Sequence, residues 1–367
     1  MPKQLTIAVF EGDGIGPEIM APTLSVLDAL SNAASYYSLT FRTVPAGAAH
    51  YAETGESLPD TSLTVARESD AILLSAMGLP EIRYPDGTEI SPQIELRKKL
   101  GLYAGLRPVK LMPNQPSPLS SEGRKPIDFV LIRESTEGLF FSQGAGTVTE
   151  MEATETLKIT RPVSEKLFEF AFRLAKQRKD SGRSSGHVTC VDKANVFRAF
   201  AFFRSIFYEI AEKHPEIKTD HAYVDAAALW MVQKPHVFDV LVTENMFGDI
   251  LSDLGAGLMG GLGLAPSADI GDDAAVFQPC HGSAPDIAGH GIANPMAMML
   301  SAAMMLNWLG YEHDLPALIK DGERLETAVE RMISAKVGLT ADLGGTATTN
   351  DVGTSIIRLL KEDFVAT

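Results

Sequence analysis

The chain has 367 residues, of which 45% are hydrophobic and 22% are charged, and its formal net charge is −15. This composition is typical of a folded globular protein, and the length favours two domains of ~100–200 residues over a single one. The acidic excess disfavours binding to nucleic acid or to an anionic membrane, since both need a basic surface. It does not exclude small anionic substrates, because a local arginine cluster can bind them.

Cys190 and Cys280 are the two cysteines of the chain, and they fit neither a disulfide framework nor a thiolate metal site. They predict a reducing, cytoplasmic location. The first residues have no signal-peptide layout. The most apolar stretch, residues 296–308, is shorter than the ~20 residues that a membrane span requires, so we expect a buried helix and no membrane partner.

Short apolar or β-branched runs alternate with amphipathic stretches along the chain. The runs predict strands at residues 5–10, 71–75, 129–132, 187–191 and 240–243. Helical periodicity predicts helices at residues 164–178, 195–213, 246–258, 295–309 and 355–361, with Asn195 and Asn245 as N-caps. This alternation predicts an α/β fold with a largely parallel central sheet.

A glycine-rich segment at residues 12–18, GDGIGPE, follows the first predicted strand and opens a helix. The dinucleotide-binding fingerprint would require a third glycine at the position of Pro17, and proline instead suits the first turn of a helix. Two interpretations stay open. The segment is either a purely structural turn, or a turn that lets a ligand or a neighbouring backbone approach closely.

Two carboxylates lie four residues apart in the segment VTENMFGDILSD, residues 242–253. Asp249 and Asp253 share one face of the predicted helix, and they repel each other unless a cation lies between them. Oxygen ligands favour Mg²⁺ or Mn²⁺. Asp225, at another strand-to-helix junction, is the candidate for a third ligand. The alternative is that Asp225 and Asp249 only complement helix dipoles.

Arg97, Arg107 and Arg133 each follow or end a predicted element in a partly apolar setting. Guanidinium groups bind carboxylates with two parallel hydrogen bonds, and Arg133 lies at the carboxyl end of a strand, where α/β sheets bind ligands. The alternative for each arginine is a structural ion pair. Lys193 lies between a strand and a helix, where it is either a base with a lowered pKa beside a metal or a solvated loop lysine.

Together these segments resemble the β-decarboxylating dehydrogenase family, which includes isopropylmalate, isocitrate, homoisocitrate and tartrate/D-malate dehydrogenases. The resemblance covers essentially the whole chain. The matching segments are the turn at 12–18, the arginine motifs at 96–108 and 133–138, the lysine motif at 191–196, the metal motifs at 223–226 and 247–253, and the nucleotide loop at 281–289 with 293–295.

The resemblance implies an α/β, two-domain, isopropylmalate/isocitrate dehydrogenase-like fold that is not a Rossmann fold. Residues 1–102 plus 260–367 would form a large, discontinuous nucleotide-binding domain. Residues 103–259 would form a small domain with the metal site and the dimer interface. The family also implies a homodimer with shared active sites, in which Lys193 and Asp225 reach in from the other subunit.

The resemblance also assigns a role to each candidate residue. Arg97, Arg107 and Arg133 would bind the substrate carboxylates, and Lys193 and Asp225 would be catalytic. The metal ligands would be Asp225, Asp249 and Asp253, and the cofactor-binding residues would be His281, Gly282, Ala284, Asp286 and Asn294. Asp286 would favour NAD over NADP, because a carboxylate accepts hydrogen bonds from ribose hydroxyls and repels a 2′-phosphate. The implied reaction is the NAD-dependent, metal-dependent oxidation of a 2-hydroxy di- or tricarboxylic acid, followed by decarboxylation.

One departure from the family concerns the last chemical step. The family has a tyrosine that protonates the enol carbon at the eighth position of the motif beginning at Arg133, and this chain has Phe140 there. A phenyl ring cannot donate a proton. Either another group or water replaces the tyrosine, or the reaction stops at oxidation. A non-catalytic regulatory subunit is a further alternative, and the presence of the metal, base and arginine residues argues against it.

The second departure concerns the choice of substrate. The segment ISPQIELR, residues 90–97, has Ser91 at the spacing of the isocitrate enzymes, but Ile90 replaces their arginine and Gln93 their asparagine. Ser91 would contact substrate, or would only cap a helix that starts with a proline. Because Ile90 and Ile94 are apolar, we favour a 3-isopropylmalate-like substrate, with isocitrate and tartrate or D-malate as alternatives.

Overall fold

The computed structural model describes residues 2–115, 117–120 and 125–365. Its strands are β1 (Lys3–Phe10), β2 (Tyr37–Thr43), β3 (Ala71–Leu74), β4 (Ala104–Lys110), β5 (Asp128–Glu134), β6 (Thr147–Val148), β7 (Ala153–Thr154), β8 (His187–Asp192), β9 (Lys218–Tyr223), β10 (Val240–Thr243), β11 (Pro266–Ile270) and β12 (Ala275–Pro279).

The α-helices surround these strands. They are α1 (Gly16–Ala33), α2 (Ala48–Thr54), α3 (Asp60–Glu68), α4 (Pro92–Leu100), α5 (Arg161–Asp180), α6 (Arg198–Ala211), α7 (Val224–Gln233), α8 (Asn245–Leu258), α9 (Met296–Glu312), α10 (Pro316–Ala335) and α11 (Thr349–Val365).

Ten strands form one sheet in the order β2-β1-β3-β12-β11-β4-β5-β10-β8-β9, and β6 and β7 form a separate hairpin. The first four strands of this order are parallel to one another, and so are the last four. Between these two parallel blocks, β11 and β4 run antiparallel to both of their neighbours. The predicted α/β fold with a largely parallel sheet is confirmed, and its antiparallel centre is an addition to that prediction.

Each of the five predicted strands coincides with an observed strand to within a few residues. They were recognisable because parallel strands covered by helices on both faces read as continuous apolar runs, and β3 and β10 are buried at every position. The central strands β4, with the sequence AGLRPVK, and β11, with the sequence PSADI, escaped prediction. Their glycine, proline and charged residues interrupt the apolar pattern.

Helix α9 is the buried helix that the apolar stretch predicted. It packs on β11 and β12 and against α10, and apolar residues lie almost all round it. Within the described residues, every helix is too short or too polar to qualify as a membrane span.

The proposed boundary between two domains crosses this continuous sheet. Strand β4, from the segment 103–259, pairs with β11, from the segment 260–367, through Gly105 and Asp269. The division into 1–102 plus 260–367 and 103–259 therefore stays a prediction.

The predicted N-cap Asn195 is wrong. Residues 193–197 form a turn in which the Phe197 N–H donates to the Lys193 carbonyl over 3.1 Å. Helix α6 starts only at Arg198, three residues later than predicted. The asparagine therefore lies in the turn and not at the helix end.

The predicted N-cap Asn245 is also wrong, because Glu244 holds that position in α8. The Glu244 carboxylate accepts hydrogen bonds from the backbone N–H groups of Met246, at 3.1 Å, and Phe247, at 2.7 Å. Burial raises the pKa of Glu244, and these two hydrogen bonds oppose that effect. A side chain that is 2% exposed thus satisfies N–H groups that the helix itself leaves unpaired.

We expect Glu244→Ala to lower the free energy of unfolding by ~1–2 kcal/mol, because it removes the cap and leaves buried donors unpaired. Glu244→Gln is the matched control, since it keeps one acceptor oxygen and should lose less. Urea unfolding of both variants measures the difference. Equal losses, or none, would contradict the assignment of this cap.

Candidate active site

The three arginines selected from the sequence lie side by side. Arg97 comes from α4, Arg107 from β4 and Arg133 from the end of β5, and all three line one cavity of about 260 Å³. Their side chains are 12%, 6% and 6% exposed, respectively. Three guanidinium groups are therefore held almost out of water, around a space the size of a small organic acid.

Arg133 is fixed from the side of α8. Its Nε donates to the Asn245 Oδ1 over 2.9 Å, and its Nη1 donates to the Asp249 carboxylate. A Cβ at Gly248 would lie 2.6 Å from both the Cβ and the Cγ of Arg133, so only glycine lets the arginine lie this close to the helix.

Arg97 and Arg107 share a fourth residue, Asp269 of β11. The Arg97 Nε lies 3.0 Å from one carboxylate oxygen of Asp269, and the Arg107 Nη2 lies 3.4 Å from the other. The Asp269 side chain is fully buried. Asp269 escaped the sequence analysis, although an acidic residue inside an otherwise uncharged strand such as PSADI is a signal for a buried ion pair.

The crowding of buried charged groups shifts the pKa values of Arg133 and Arg107. Burial and repulsion by Arg97 lower the pKa of Arg133 to about 10. Burial would also lower the pKa of Arg107, but the nearby acidic groups, Asp269 first among them, together raise that pKa. Arg107 and Arg133 therefore remain charged at neutral pH and attract an anion into the cavity.

Asp249 and Asp253, the predicted metal pair, line the same cavity. Partial burial, together with repulsion by Asp249, raises the pKa of Asp253. A divalent cation between the two carboxylates would relieve this repulsion, and their oxygen atoms suit Mg²⁺ or Mn²⁺. Within the residues that the structure describes, no group of three or more candidate ligands comes together in the single chain, so the pair would need ligands from elsewhere.

The predicted third ligand, Asp225, lies apart from this pair. It accepts a 2.5 Å hydrogen bond from the Lys193 Nζ, and neither residue lines the cavity. That hydrogen bond lowers the pKa of Asp225, whose side chain is 69% exposed. The structure brings Lys193 and Asp225 together on the surface of the chain and does not bring them to the arginines of the same chain.

His281 and Gly282 of the predicted nucleotide loop also line the cavity. The His281 Nδ1 lies 3.0 Å from the Gly282 carbonyl, so this nitrogen carries the proton and donates. Burial lowers the pKa of His281. Its Nε2 is buried and has no hydrogen-bond partner among the described residues, which leaves an acceptor for a ligand such as a nucleotide.

The glycine-rich turn packs against this same loop. The Ile15 N–H donates to the Ser283 carbonyl over 2.8 Å, and a Cβ at Gly14, whose φ is +58°, would collide with that carbonyl. The close approach anticipated for the glycines is thus made by neighbouring backbone. The structural interpretation of the turn accounts for this contact.

Three other predicted cofactor residues lie beyond the cavity lining. Ala284 has a φ of +38° at the bend of the loop, and Asp286 is exposed. Asn294 uses both ends of its amide within the protein. Its Nδ2 donates to Asp342 over 2.9 Å, and its Oδ1 accepts from the Met296 N–H over 3.0 Å.

The segment at residues 90–97, which we expect to select the substrate, contributes two residues besides Arg97 to the cavity lining. Neither of them is the predicted residue, Ser91. Ser91 precedes α4 but lies outside the cavity lining, and its hydroxyl donates to the Glu89 carbonyl over 3.1 Å. Gln93 and Ile94 line the cavity instead. The Gln93 Oε1 is buried and has no partner among the described residues. Ile90 is fully buried in the protein core.

Phe140 lines the cavity at the position where the family has its tyrosine. The Arg133 guanidinium lies over its ring, 5.0 Å from the centroid, as in a cation–π contact. The ring thus packs on an arginine and places no protic group in the cavity.

Arginines and carboxylates around one small cavity, beside a loop with an unpaired buried acceptor, define an enzyme site for a small organic acid. The family model described as isocitrate/isopropylmalate dehydrogenase matches residues 6–356. The chain belongs to this family. It is accordingly a decarboxylating hydroxy-acid dehydrogenase that acts on a CH–OH group.

Named relatives match over nearly their whole length. The chain is 41% identical to the 3-isopropylmalate/3-methylmalate dehydrogenase of Methanocaldococcus jannaschii, covering 97% of this chain and 99% of that one. It is 40% identical to the 3-isopropylmalate dehydrogenase of Streptococcus pneumoniae, covering 96% and 99%. The family resemblance stated from the sequence is confirmed.

Solved structures also match this fold over nearly the whole chain. The isocitrate dehydrogenase of Methylococcus capsulatus superposes with a TM-score of 0.85 at 35% identity, covering 97% of this chain and 99% of that chain. A β-decarboxylating dehydrogenase of Thermococcus kodakarensis gives a TM-score of 0.80 at 37% identity, covering 99% and 98%. The predicted isopropylmalate/isocitrate dehydrogenase-like α/β fold is confirmed.

We expect Gly248→Ala to lower kcat/KM for the hydroxy-acid substrate at least about tenfold, because the new methyl group displaces Arg133 from the cavity. Steady-state kinetics measure the loss. Gly257→Ala, in the same helix, is the matched control, since nothing lies within 4 Å of a Cβ at that position.

The control variant should keep full activity and gain up to ~0.5–1 kcal/mol of stability, because alanine is the better helix former. Equal kinetics for the two variants would contradict the role of Gly248 in placing Arg133.

Proposed function

We propose that the protein catalyses the NAD-dependent, divalent-metal-dependent oxidation and decarboxylation of a 3-isopropylmalate-like 2-hydroxy acid. One observation carries this proposal. Three buried arginines and the carboxylate pair of Asp249 and Asp253 line the same small cavity, next to the loop that begins at His281.

The lining of the cavity supports a substrate with two carboxylates and an apolar substituent. The arginines offer bidentate sites for carboxylates. Leu74, Met77, Ile94 and Phe140 supply apolar surface beside them. Two of the relatives compared above are named for 3-isopropylmalate, which fits this combination of charged and apolar walls.

Asp249 and Asp253 of one subunit, with Asp225 of the other, would hold a Mg²⁺ or Mn²⁺ ion. Burial and the repulsion between Asp249 and Asp253, which raise the pKa of Asp253, support a cation at this pair. When bound, such an ion polarises the substrate hydroxyl and stabilises negative charge that develops on its oxygen. The arginines meanwhile hold the carboxylates and fix the orientation of the carbon that loses hydride.

Lys193 would accept the hydroxyl proton, with Asp225 next to it as its hydrogen-bond partner. Their 2.5 Å contact already pairs the two groups. Lys193 accepts this proton in its neutral form.

The loop at residues 281–289 would bind the NAD cofactor, which accepts the hydride. The unpaired His281 Nε2 fits a donor group of a nucleotide. The exposed Asp286 carboxylate fits ribose hydroxyls and would repel a 2′-phosphate. His281, Gly282, Ala284, Asp286 and Asn294 are therefore the proposed cofactor residues.

A homodimer would complete the site by supplying Lys193 and Asp225 across an interface. Large hydrophobic side chains are exposed on and beside α6, α7 and α8, namely Val196, Phe197, Phe202, Leu229, Val232 and Ile250. Exposed large apolar side chains of this kind support a surface that a second subunit covers. The cytoplasmic location stays a prediction.

The final proton must come from a group other than residue 140. Phe140 retains the shape of a tyrosine, and its ring is held by Arg133, but it has no hydroxyl. We propose that water entering the cavity protonates the carbon after CO₂ leaves.

We expect NADH formation with stoichiometric CO₂ release on 3-isopropylmalate in the presence of Mn²⁺, and loss of both on chelation. The assay covers 3-isopropylmalate, isocitrate, D-malate and tartrate, with NADH followed by absorbance and CO₂ by trapping. Phe140→Tyr is the matched variant. It should raise the steady-state rate of turnover, measured as NADH and CO₂ together, because it restores a donor for the proton taken up after CO₂ leaves without changing the size of the ring.

Turnover confined to isocitrate, D-malate or tartrate would replace the proposed substrate. NADH without CO₂ in the wild type, with CO₂ restored in Phe140→Tyr, would show that residue 140 uncouples oxidation from decarboxylation. No NADH from any of the four acids would overturn the proposed function.

We expect Asp286→Lys to raise the KM for NAD about tenfold and to lower the KM for NADP, because a cation at this position attracts the 2′-phosphate. Asp273→Lys makes the same charge change at another exposed position and should leave both values unchanged. Initial rates with each dinucleotide test this. An unaltered preference in Asp286→Lys would remove the cofactor assignment.

A further inference from the structure

The central sheet leaves space for the side chain of Asp269. Asp269 lies fully buried on β11, opposite Gly105 of β4. A Cβ at Gly105 would lie 2.9 Å from the Asp269 Oδ1 and 2.6 Å from the Ser135 Oγ. Any larger residue at position 105 would expel the carboxylate or the hydroxyl, so the backbone is shaped around this buried pair.

Both oxygens of Asp269 are fully used. Oδ2 accepts from the Arg97 Nε at 3.0 Å and from the Gln278 Nε2 at 2.8 Å. Oδ1 accepts from the Arg107 Nη2 at 3.4 Å and from the Ser135 Oγ at 3.2 Å. Two of the four donors are charged and two are neutral, so the carboxylate is bound from every side.

The buried carboxylate is ionised. Burial would raise the pKa of Asp269, but Arg97, Arg107 and Arg133 outweigh it and hold the pKa below its ordinary value. A permanent negative charge therefore lies directly behind the arginines.

Asp269 also leaves part of Arg97 for the cavity. It engages the Nε of Arg97, while the two terminal nitrogens of that guanidinium have no partner among the described residues. Arg97 lines the cavity. The arginine is thus held from behind, and its outer edge is available to a carboxylate of the substrate.

We propose that Asp269 is a specificity-determining residue, a built-in counter-ion that limits the arginine cluster to substrates with two carboxylates and rejects those with three. This inference rests on the proposed function of the cavity. Asp269 balances one of the three guanidinium charges, which leaves two for the substrate. Asp249, which contacts Arg133 in the single chain, and Asp253 do not alter this count, since a divalent metal would balance their two charges. Asp225, the third proposed ligand, is balanced by Lys193.

A third carboxylate would find no free cation, because the rest of the lining described for this chain carries none and Lys193, which the other subunit would supply, is paired with Asp225. The segment that lines the cavity next to Arg97 presents a neutral amide, Gln93, and an apolar side chain, Ile94. An unpaired carboxylate in so enclosed a space is costly, because it loses water without gaining a partner. Gln278, which lies beside Asp269, is neutral and adds no charge. The Asp269 carboxylate alone therefore determines how many guanidinium charges remain for the substrate.

The test compares two unreactive ligands that lack the hydroxyl group, isopropylsuccinate as the dianion and tricarballylate as the trianion. Calorimetry measures their Kd values, with Mg²⁺ in excess and at a pH where every carboxyl is ionised. The wild type should bind the dianion at least about tenfold more tightly. Asp269→Asn should shift the ratio of the two Kd values about tenfold towards the trianion, because it frees one guanidinium charge.

Ser135→Ala is the matched control, since it removes a neutral hydrogen bond to Asp269 and leaves the charge in place. Its Kd ratio should equal that of the wild type. If Asp269→Asn does not fold, Arg97→Gln tests the same balance from the other side. It removes one positive charge, and should shift the ratio further towards the dianion.

Tighter binding of the trianion by the wild type would overturn the inference, as would an unchanged ratio in folded Asp269→Asn. Failure to bind either ligand would overturn the carboxylate site itself. These measurements need no turnover. An absence of NADH formation with the expected ligand ratios would therefore count against the proposed function alone.

Discussion

Three guanidinium groups of like charge, held almost out of water, are the constraint on which this site depends. Their repulsion and desolvation are visible in Arg133, whose pKa falls to about 10. They stay together because carboxylates approach from two directions, Asp269 from the sheet and Asp249 from α8. The glycines at positions 105 and 248 give these contacts the necessary room. The same few residues thus provide both the close packing and the charge balance of the site.

The position of the cluster follows from the topology. Arg107 and Asp269 lie on β4 and β11, the antiparallel pair between the two parallel blocks. The block that contains β3 and β12 contributes Leu74 and Gln278 to the cavity, and the block that contains β5 contributes Arg133. The cavity therefore forms where the blocks meet, and each block supplies part of its wall.

Periodicity and motif spacing anticipated the parallel strands, the three arginines and the Asp249–Asp253 pair, because each has a local signal. The central strands gave no signal in the pattern of apolar residues, because glycine, proline and charged residues interrupt β4 and β11. The arginine partners of Asp269 lie more than a hundred residues away along the chain, so no local pattern could identify them. Asn245 was assigned to a helix cap by local preference. Tertiary contacts instead direct its side chain to Arg133, and the preceding glutamate serves as the cap.

The pairing of β3 with β12 has a consequence for assembly. The first parallel block is complete only after β12, residues 275–279, has been synthesised and has paired with β3, residues 71–74. The strands of the second block, β5, β8, β9 and β10, all lie within residues 128–243. During synthesis the central segment can thus fold first, and the ends of the chain close around it last. Closing so long a loop is entropically slow. Until it closes, Arg97 and Arg107 lack their buried carboxylate, so a truncated chain would expose a positively charged patch that the finished protein conceals.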